Sequence, residues 1–445
     1  MGKYFGTDGA RGVANKELTC QLAFKLGQAA GVFMGKTIVV GRDTRLSGDM
    51  LQAAVSAGIT SVGATVLDAE IIPTPAVALL VRELHADGGI VISASHNPPE
   101  YNGIKFFDGQ GFKLPDAVEA EIEDFIDAGG AAADALPNGD EVGIIVSVED
   151  AREIYINHVV DAVRAQGISF EGLNIAFDAG HGASCGTTQE ALERLGATVT
   201  AINDDFTGTD INVGCGSTNL EPLHALMEQT GADFGIAHDG DADRVMMLAS
   251  DGTEIDGDVV EAVCAIDMKR RGVLAFDTVV STVMCNMGLR KAMEAEGITV
   301  ERTAVGDRYV LERMREGGFL VGGEQSGHMI LLEHNSTGDG LMTACQFIAA
   351  CVRNGWDSVT AAGLMQRFPQ VLVNVRVANR DAYESNQACQ DIVNAEAEAL
   401  GSDGQILVRK SGTEPLIRVM VEASTLEYAT ECANRIADVV KSELA

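Results

Sequence analysis

Short apolar runs alternate with longer amphipathic stretches along most of the chain before residue 367. Three units share one order: an apolar run, a polar or glycine-containing loop, a helical stretch and a Gly-x-Thr-Val segment. The units begin KTIVVGRDTRLSG, LNIAFDAGHGASCG and DTVVSTVMCNMGLRKAMEAE, and their last segments open at Gly63, Gly196 and Gly297. This order is typical of a βαβ unit, so the repetition predicts three related α/β domains with parallel or mixed sheets. Chance similarity among ordinary βαβ units is the alternative.

The chain after residue 367 follows a different pattern. FPQVLVNVRVAN alternates apolar and polar residues, and QILVRKSGTEPLIRVMVEA indicates a strand, a loop and a strand. Helical stretches rich in alanine and glutamate lie between and after them. A period of two is typical of half-buried antiparallel strands, so we predict an α+β domain here. The expected domains are residues 1–148, 149–249, 250–367 and 368–445, with a ligand cleft between the four lobes.

Length, charge and cysteine usage narrow the class of protein. A chain of 445 residues is too long for one hydrophobic core. The net charge of −33 argues against nucleic acid and anionic membranes as partners, because both favour a basic surface. The sequence lacks an apolar run of ~18 residues and a secretory leader. Its nine scattered cysteines are typical of a reducing cytoplasm, where we expect the protein to reside.

Three aspartates alternate in the motif HDGDADR, at Asp239, Asp241 and Asp243. In a curled loop this spacing lets three carboxylates converge on one hard cation, without which they would repel one another. An EF-hand is excluded, because the positions that need glycine and glutamate hold Arg244 and Ser250. We favour Mg²⁺, since three carboxylates leave coordination positions for water and a phosphate oxygen. A phosphatase-type Asp-x-Asp and a solvated acidic turn are the alternatives.

Hydroxyl and imidazole groups follow an apolar strand directly in GGIVISASHNPPEYNGIKFF, residues 88–107. Ser93 and Ser95 are both candidate nucleophiles, and neither lies in the G-x-S-x-G motif of hydrolases. A serine phosphorylated in the resting enzyme, with one phosphate oxygen on the metal, would explain why this loop coexists with the aspartate loop. An ordinary serine turn or helix cap is the alternative.

Two later loops carry binding chemistry. The loop RKSGTEPLIR has the richest anion-binding composition of this acidic chain, with Arg409, Lys410, Ser411, Gly412, Thr413 and Arg418. The loop GGEQSGH suits sugar hydroxyls or an amine, with Glu324, Ser326 and His328. A solvated hairpin and a structural turn are the respective alternatives. A nucleotide cofactor has no support, because the chain has neither a Walker A motif nor G-x-G-x-x-G after a strand.

Taken together, SASHNP, DGDADR, GEQSGH and RKSGTEPLIR resemble the four signature loops of the α-D-phosphohexomutases, in the same order and at similar distances. The resemblance spans essentially the whole chain, with one motif in each lobe. It implies three related α/β domains with mixed sheets and a C-terminal α+β domain around a central cleft. It also implies an intramolecular phosphotransferase that works through a phosphoserine and a sugar 1,6-bisphosphate.

The resemblance further implies residue roles. Ser95 would be the phosphoserine, and one of its phosphate oxygens would share Mg²⁺ with Asp239, Asp241 and Asp243. The catalytic cations and proton carriers would be Arg11 and Arg244, which steady the phosphoryl group, and His96, Lys105 or His328, which move protons. The sugar would be held by Glu324 and Ser326, with Gly306 and Asp307 nearby. The phosphate that does not react would be held by Arg409, Ser411, Gly412, Thr413 and Arg418.

Within the family, FGTDGARG, the Gln of GEQSGH and FPQVLVNVRV are most similar to the bacterial branch that acts on glucosamine phosphates. That branch feeds UDP-N-acetylglucosamine and cell-wall precursor synthesis, with glucosamine 1,6-bisphosphate as its intermediate. HNPPEYNGIK is closer to the phosphomannomutase/phosphoglucomutase branch, which is the alternative. A silent sugar-phosphate-binding regulator is the alternative from another class. The resemblance also allows a homodimer and a kinase that acts on Ser95.

Overall fold

The computed structural model describes residues 2–6, 8–411 and 415–444. The strands of these residues form four sheets, which the chain builds one after another. Three sheets are mixed and the last is antiparallel, which confirms the predicted fold class. No helix in these ranges is both long and apolar enough to cross a membrane.

The first sheet contains six strands, and parallel pairing dominates its centre. Its elements are β1 (Ala10–Val13), α1 (Cys20–Phe33), β2 (Thr37–Arg42), α2 (Gly48–Ser61), β3 (Thr65–Ile71), α3 (Thr74–Glu83), β4 (Gly88–Ile92), β5 (Tyr101–Asp108), α4 (Asp116–Asp127) and β6 (Ile145–Ser147). The strand order is β1-β5-β4-β2-β3-β6. β2 pairs in parallel with β3 and β4, whereas β5 is antiparallel to β4 and β1.

The second sheet repeats this centre with five strands in the order β11-β10-β9-β7-β8. Its elements are α5 (Ala151–Arg164), β7 (Asn174–Asp178), α6 (Thr188–Arg194), β8 (Thr198–Ile202), α7 (Glu221–Thr230), β9 (Phe234–His238), β10 (Val245–Ala249) and β11 (Glu254–Ile255). β7 is parallel to β8 and β9, and β10 is antiparallel to β9. The short β11 continues this sheet past residue 249, and the domain boundaries given above stay a prediction.

The third sheet is the smallest of the mixed sheets, with the strand order β13-β12-β14-β15. Its elements are α8 (Gly257–Arg270), β12 (Thr278–Thr282), α9 (Met287–Ala295), β13 (Thr299–Thr303), α10 (Asp307–Gly317), β14 (Val321–Gly323), β15 (Met329–Leu331), α11 (Gly340–Asn354) and α12 (Ser358–Ala362). β12 is parallel to β13 and β14, and β15 is antiparallel to β14.

The three mixed sheets therefore share one topology. Each has two parallel strands joined by a helix, a third parallel strand and a fourth strand that returns antiparallel. The glycines before the second strands, Gly63, Gly196 and Gly297, have φ of 76°, 104° and 67°, a region that other residues rarely adopt. This common topology favours the prediction of related domains over chance similarity.

The fourth sheet has three antiparallel strands in the order β16-β18-β17. Its elements are β16 (Gln370–Arg376), α13 (Gln387–Leu400), β17 (Gly404–Lys410), β18 (Leu416–Ala423) and α14 (Leu426–Leu444). The buried apolar residues of this domain form a cluster separate from those of the other domains. One hydrophobic core runs through the first three domains by way of α3, α5 and α11, whereas the fourth domain has a core of its own. All nine cysteines are free thiols.

Candidate active site

The sequence motifs occupy topologically equivalent positions in the three mixed sheets. In each sheet they connect the third strand to its antiparallel neighbour: SASHNPPE between β4 and β5, DGDADR between β9 and β10, and EQSGH between β14 and β15. The fourth motif also connects antiparallel strands, β17 and β18. The first three loops face one another and the cleft between the domains, as side-chain contacts between them show.

Ser95 lies at the centre of this meeting point. Its Oγ donates a hydrogen bond to Asp239 Oδ2 at 2.6 Å and lies 3.3 Å from His96 Nδ1. Its backbone has a φ of 53°, and a non-glycine residue keeps such a conformation only where its surroundings hold it. The other candidate, Ser93, donates to Asp43 Oδ2 at 2.6 Å and accepts the Ser95 amide at 2.9 Å. Of the two hydroxyls, it is that of Ser95 that faces the aspartate loop.

The three aspartates of DGDADR are buried, and each offers an oxygen within 4.8 Å of those of the others. Asp241 Oδ2 accepts hydrogen bonds from Thr74 Oγ1 at 2.6 Å and Lys105 Nζ at 2.7 Å. The Oδ1 atoms of Asp241 and Asp243 are buried and have no hydrogen-bond partner among the described residues. Converging hard oxygen donors with open lone pairs fit a divalent cation, so the loop is a candidate metal site.

The pKa shifts of Asp239 and Asp243 also indicate a cation site. Burial, followed by the charges of Asp243 and Asp241, raises the pKa of Asp239 to about 8. Burial would also raise the pKa of Asp243, but Lys105 and His328 outweigh it and hold that pKa well below its usual range. Three buried carboxylates are therefore not all stable as anions in this loop without added positive charge.

The candidate proton carriers differ in charge. Burial, then Arg244 and Arg11, lowers the pKa of His96 to about 4, so its imidazole is neutral. Burial alone would lower the pKa of Lys105, but Asp241 and Asp8 raise it, so this side chain is a cation. The pKa of His328 is likewise raised, against burial, by Asp243, from which His328 Nδ1 lies 3.6 Å.

Two charged residues of this site were missed by the sequence reasoning. Asp8 accepts from Arg11, Lys105 and Lys113, and Lys113 also pairs with Asp307. The Lys113 side chain thus joins the first domain to the third beside the aspartate loop. Asp8 stands in FGTDGARG, three residues before Arg11, and that stretch of glycines and opposite charges was the available signal. Lys113 has no comparable signal in the sequence.

Of the four predicted sugar-binding residues, Glu324, Gly306 and Asp307 lie close together in the structure. Glu324 Oε1 accepts the backbone N–H of Gly306 at 3.0 Å, at the start of α10, where Asp307 is the first residue. Ser326 is exposed on the same hairpin. A cleft of about 750 Å³ extends from Arg244 past this hairpin to the fourth domain, with lining residues that include Gln325, Ser326, Arg367 and Phe368. The cleft is large enough for a phosphorylated sugar.

The predicted phosphate loop lies at the end of a cross-strand pair of arginines. Arg409 of β17 stands directly opposite Arg418 of β18. Burial and then the charge of Arg418 lower the pKa of Arg409. Like charges at opposed positions are unfavourable in a sheet, and an anion beside them would relieve the repulsion. The buried Ser411 follows β17, and its carbonyl accepts from Arg380. Gly412 and Thr413 lie outside the described residues.

The fold and the four loops define the class of protein. Four models of the phosphoglucomutase/phosphomannomutase family match in order: α/β/α domain I at residues 2–133, domain II at 153–252, domain III at 256–370 and the C-terminal domain at 372–439. The chain belongs to this family of phosphohexomutases.

Within this family, the chain is similar over its full length to proteins named phosphoglucosamine mutase. The chain is 46% identical over 453 residues to the phosphoglucosamine mutase of Ruminiclostridium cellulolyticum and 49% identical over 454 residues to that of Symbiobacterium thermophilum, with 100% of each chain covered. Among solved structures, a phosphoglucomutase/phosphomannomutase family protein of Burkholderia thailandensis matches with a TM-score of 0.81 at 24% identity, covering 98% of this chain and 97% of that one. Aspergillus fumigatus N-acetylphosphoglucosamine mutase, solved with GlcNAc-6P and magnesium, gives 0.71 at 17% identity, with 99% and 96% covered.

Proposed function

We propose that this protein interconverts glucosamine 6-phosphate and glucosamine 1-phosphate through a phosphorylated Ser95 and glucosamine 1,6-bisphosphate. The main support for the proposal is the position of Ser95. Its backbone has a φ of 53°, and its hydroxyl donates a hydrogen bond to Asp239 at 2.6 Å where the aspartate loop meets the cleft. The full-length identity to phosphoglucosamine mutases supports glucosamine as the sugar.

The reaction is two phosphoryl transfers at one serine. In the first, the bond between phosphorus and Ser95 Oγ breaks, and the sugar O1 forms a new bond to phosphorus and loses its proton. The bisphosphate then turns in the cleft and returns its 6-phosphoryl group to Ser95. Of the candidate proton carriers, we assign His96 to Ser95, because its Nδ1 lies 3.3 Å from Oγ and its imidazole is neutral. At the sugar, Lys105 and His328 stay the candidates.

Catalysis in this scheme rests on positive charge around the phosphoryl group. The charges of Arg244 and Arg11 help to lower the pKa of His96, and the Arg244 backbone N–H donates to Asp239 Oδ1 at 3.3 Å, which supports both arginines as cations near the Ser95 phosphate. Asp239, Asp241 and Asp243 would hold Mg²⁺ with a phosphate oxygen of Ser95. A bound Mg²⁺ supplies charge that stabilises the phosphoryl oxygens.

Substrate binding is divided between two domains. Glu324 and Ser326 hold the sugar hydroxyls, with Gly306 and Asp307 beside them. The fourth domain grips the phosphate that does not react, through Arg409, Ser411, Gly412, Thr413 and Arg418. Gripping the far phosphate would draw the fourth domain toward the cleft and exclude water, which would otherwise accept the phosphoryl group.

The proposed product is the precursor of UDP-N-acetylglucosamine, and through it of peptidoglycan. Sugar phosphates are the expected partners, and the free thiols suit a cytoplasmic enzyme. A homodimer and a kinase acting on Ser95 stay predictions.

The experiment compares turnover of glucosamine, mannose and glucose 6-phosphates, with Mg²⁺ and a trace of the matching bisphosphate. We expect kcat/KM for glucosamine 6-phosphate to exceed the others ~100-fold, about 2.7 kcal/mol. Equal or faster turnover of mannose or glucose phosphate would instead assign the phosphomannomutase/phosphoglucomutase reaction. Absence of turnover together with an unphosphorylated Ser95 by intact mass would favour a silent sugar-phosphate-binding protein.

A further inference from the structure

Two side chains from different domains donate hydrogen bonds to the same two backbone carbonyls of the serine loop, which is the connection of residues 93–100 between β4 and β5. Arg45, which is 1% exposed, donates from Nη2 to the carbonyls of Ser95 at 3.0 Å and Asn97 at 2.7 Å. Asn212, from the second domain, donates from Nδ2 to the same carbonyls at 2.9 and 3.3 Å. Neither residue belongs to the four sequence motifs.

Arg45 is itself fixed. Its Nε lies 2.9 Å from Asp43 Oδ2, which also accepts the Ser93 hydroxyl, and its Nη1 donates to the carbonyl of Tyr101 at 3.0 Å. The guanidinium therefore spans both ends of the loop with a planar fork of donors. An ammonium group could satisfy only part of this set, because it presents its donors from one point.

Asn212 is fixed from the second domain. Its backbone has a φ of 61°, and its N–H donates to the carbonyl of Gly180 at 3.0 Å. The aspartate loop packs against it at Gly240, where an added Cβ would lie 2.7 Å from the Ser95 carbonyl oxygen and 2.9 Å from Asn212 Nδ2. The serine loop, the aspartate loop and Asn212 are thus in mutual contact with no space for another side chain.

We propose that Arg45 and Asn212 are positioning residues that hold the Ser95 carbonyl and so aim the Ser95 side chain at the aspartate loop. Arg45 fixes the strained loop within the first domain, and Asn212 fixes its distance from the second. This inference rests on the proposed function, because it assigns the two residues to the phosphoryl-transfer steps. Neither touches the reacting atoms, so their loss should slow transfer without weakening sugar-phosphate binding.

The test follows phosphoryl transfer from glucosamine 1,6-bisphosphate to dephosphorylated enzyme in a single turnover, read as the mass gain of the intact chain. Asn212→Gly removes the amide and still permits the positive φ. We expect it to lower the maximal transfer rate ~10-fold or more while the half-saturating bisphosphate concentration changes less than ~3-fold. Arg45→Lys, which keeps the charge and loses the fork, should do the same.

Asn219→Ala is the matched control. Asn219 lies in the same segment and donates from Nδ2 to the carbonyl of Gly214 at 2.9 Å, away from the serine loop. Its transfer rate should stay within ~2-fold of the wild type. Wild-type transfer rates in Asn212→Gly would overturn the inference, as would a rise in half-saturation with an unchanged maximal rate. If Arg45→Lys does not fold, Asn212→Gly alone decides. A wild-type chain that never gains phosphate would instead refute the proposed function.

Discussion

The serine loop and the phosphate loop are both connections between antiparallel strands, yet their surroundings differ. Residues 93–95 of the serine loop are buried, and Arg45, Asn212 and Asp239 hold this loop from two domains. The phosphate loop extends from a three-stranded sheet whose domain has its own core. The proposed reacting group is therefore fixed among the first three domains, whereas the proposed phosphate-binding residues belong to a domain with a separate core.

The attachment of that unit is polar. Glu422, at the end of β18, is buried and accepts hydrogen bonds from Asn286 Nδ2 at 3.0 Å and the Met287 N–H at 2.8 Å, both in the third domain. Gln370 and Gln405 donate to the same carboxylate at 2.8 and 2.9 Å. Such a network of hydrogen bonds to one buried carboxylate fixes the orientation of the fourth domain relative to the third.

The largest expected effect is that of Ser95→Ala. Loss of the Ser95 hydroxyl should lower kcat on the order of 10⁴-fold or more, because both transfers of the proposed reaction pass through this oxygen. Sugar-phosphate binding, measured by calorimetry, should change little. Ser93→Ala should cost much less, since Ser93 only supports the loop through Asp43 and the Ser95 amide. Near-normal turnover in Ser95→Ala would mean that another hydroxyl reacts.

Asp241→Asn should come next, with kcat lowered ~100-fold or more. The change removes one carboxylate from the triad and the charge that pairs with Lys105 at 2.7 Å. A binding readout is independent of activity: Mg²⁺ should raise the melting temperature of the wild type and raise that of the variant less. Asp391→Asn, at an exposed site of α13, is the control. An equal Mg²⁺ response in all three proteins would exclude the triad as the metal site.

Some features of the fold and of the candidate site were predictable from the sequence, and others were not. The three related sheets, the antiparallel fourth sheet and the aspartate triad were predictable, because periodicity and short-range spacing carry them. The hydrogen bonds of Asn212 to the serine loop were not predictable. Asn212 lies 117 residues from Ser95, and its role as a donor depends on how two domains pack. Thr74, which donates to Asp241 from the first domain, was missed for the same reason.

Arg418→Ala tests the phosphate loop, and we expect it to change mainly KM. In the proposed reaction the opposed arginine pair binds the phosphate that does not react, so removal of one arginine should raise KM for the sugar phosphate ~10-fold or more. kcat should fall less than KM rises. Lys441→Ala removes a positive charge from the exposed surface of the same domain and serves as the control. An unchanged KM in Arg418→Ala would remove this residue from the phosphate site.

The smallest effect is expected at the attachment of the fourth domain, in Glu422→Gln. All four groups that contact the carboxylate are N–H donors, two on each oxygen, so the amide nitrogen of Gln would face two donors and leave those two without an acceptor. Loss of these hydrogen bonds should lower the free energy of unfolding by about 1–3 kcal/mol, measured in urea. Glu398→Gln, at an exposed site of α13, should stay within about 0.5 kcal/mol of the wild type. If Glu422→Gln is as stable as this control, the polar network does not anchor the fourth domain to the third.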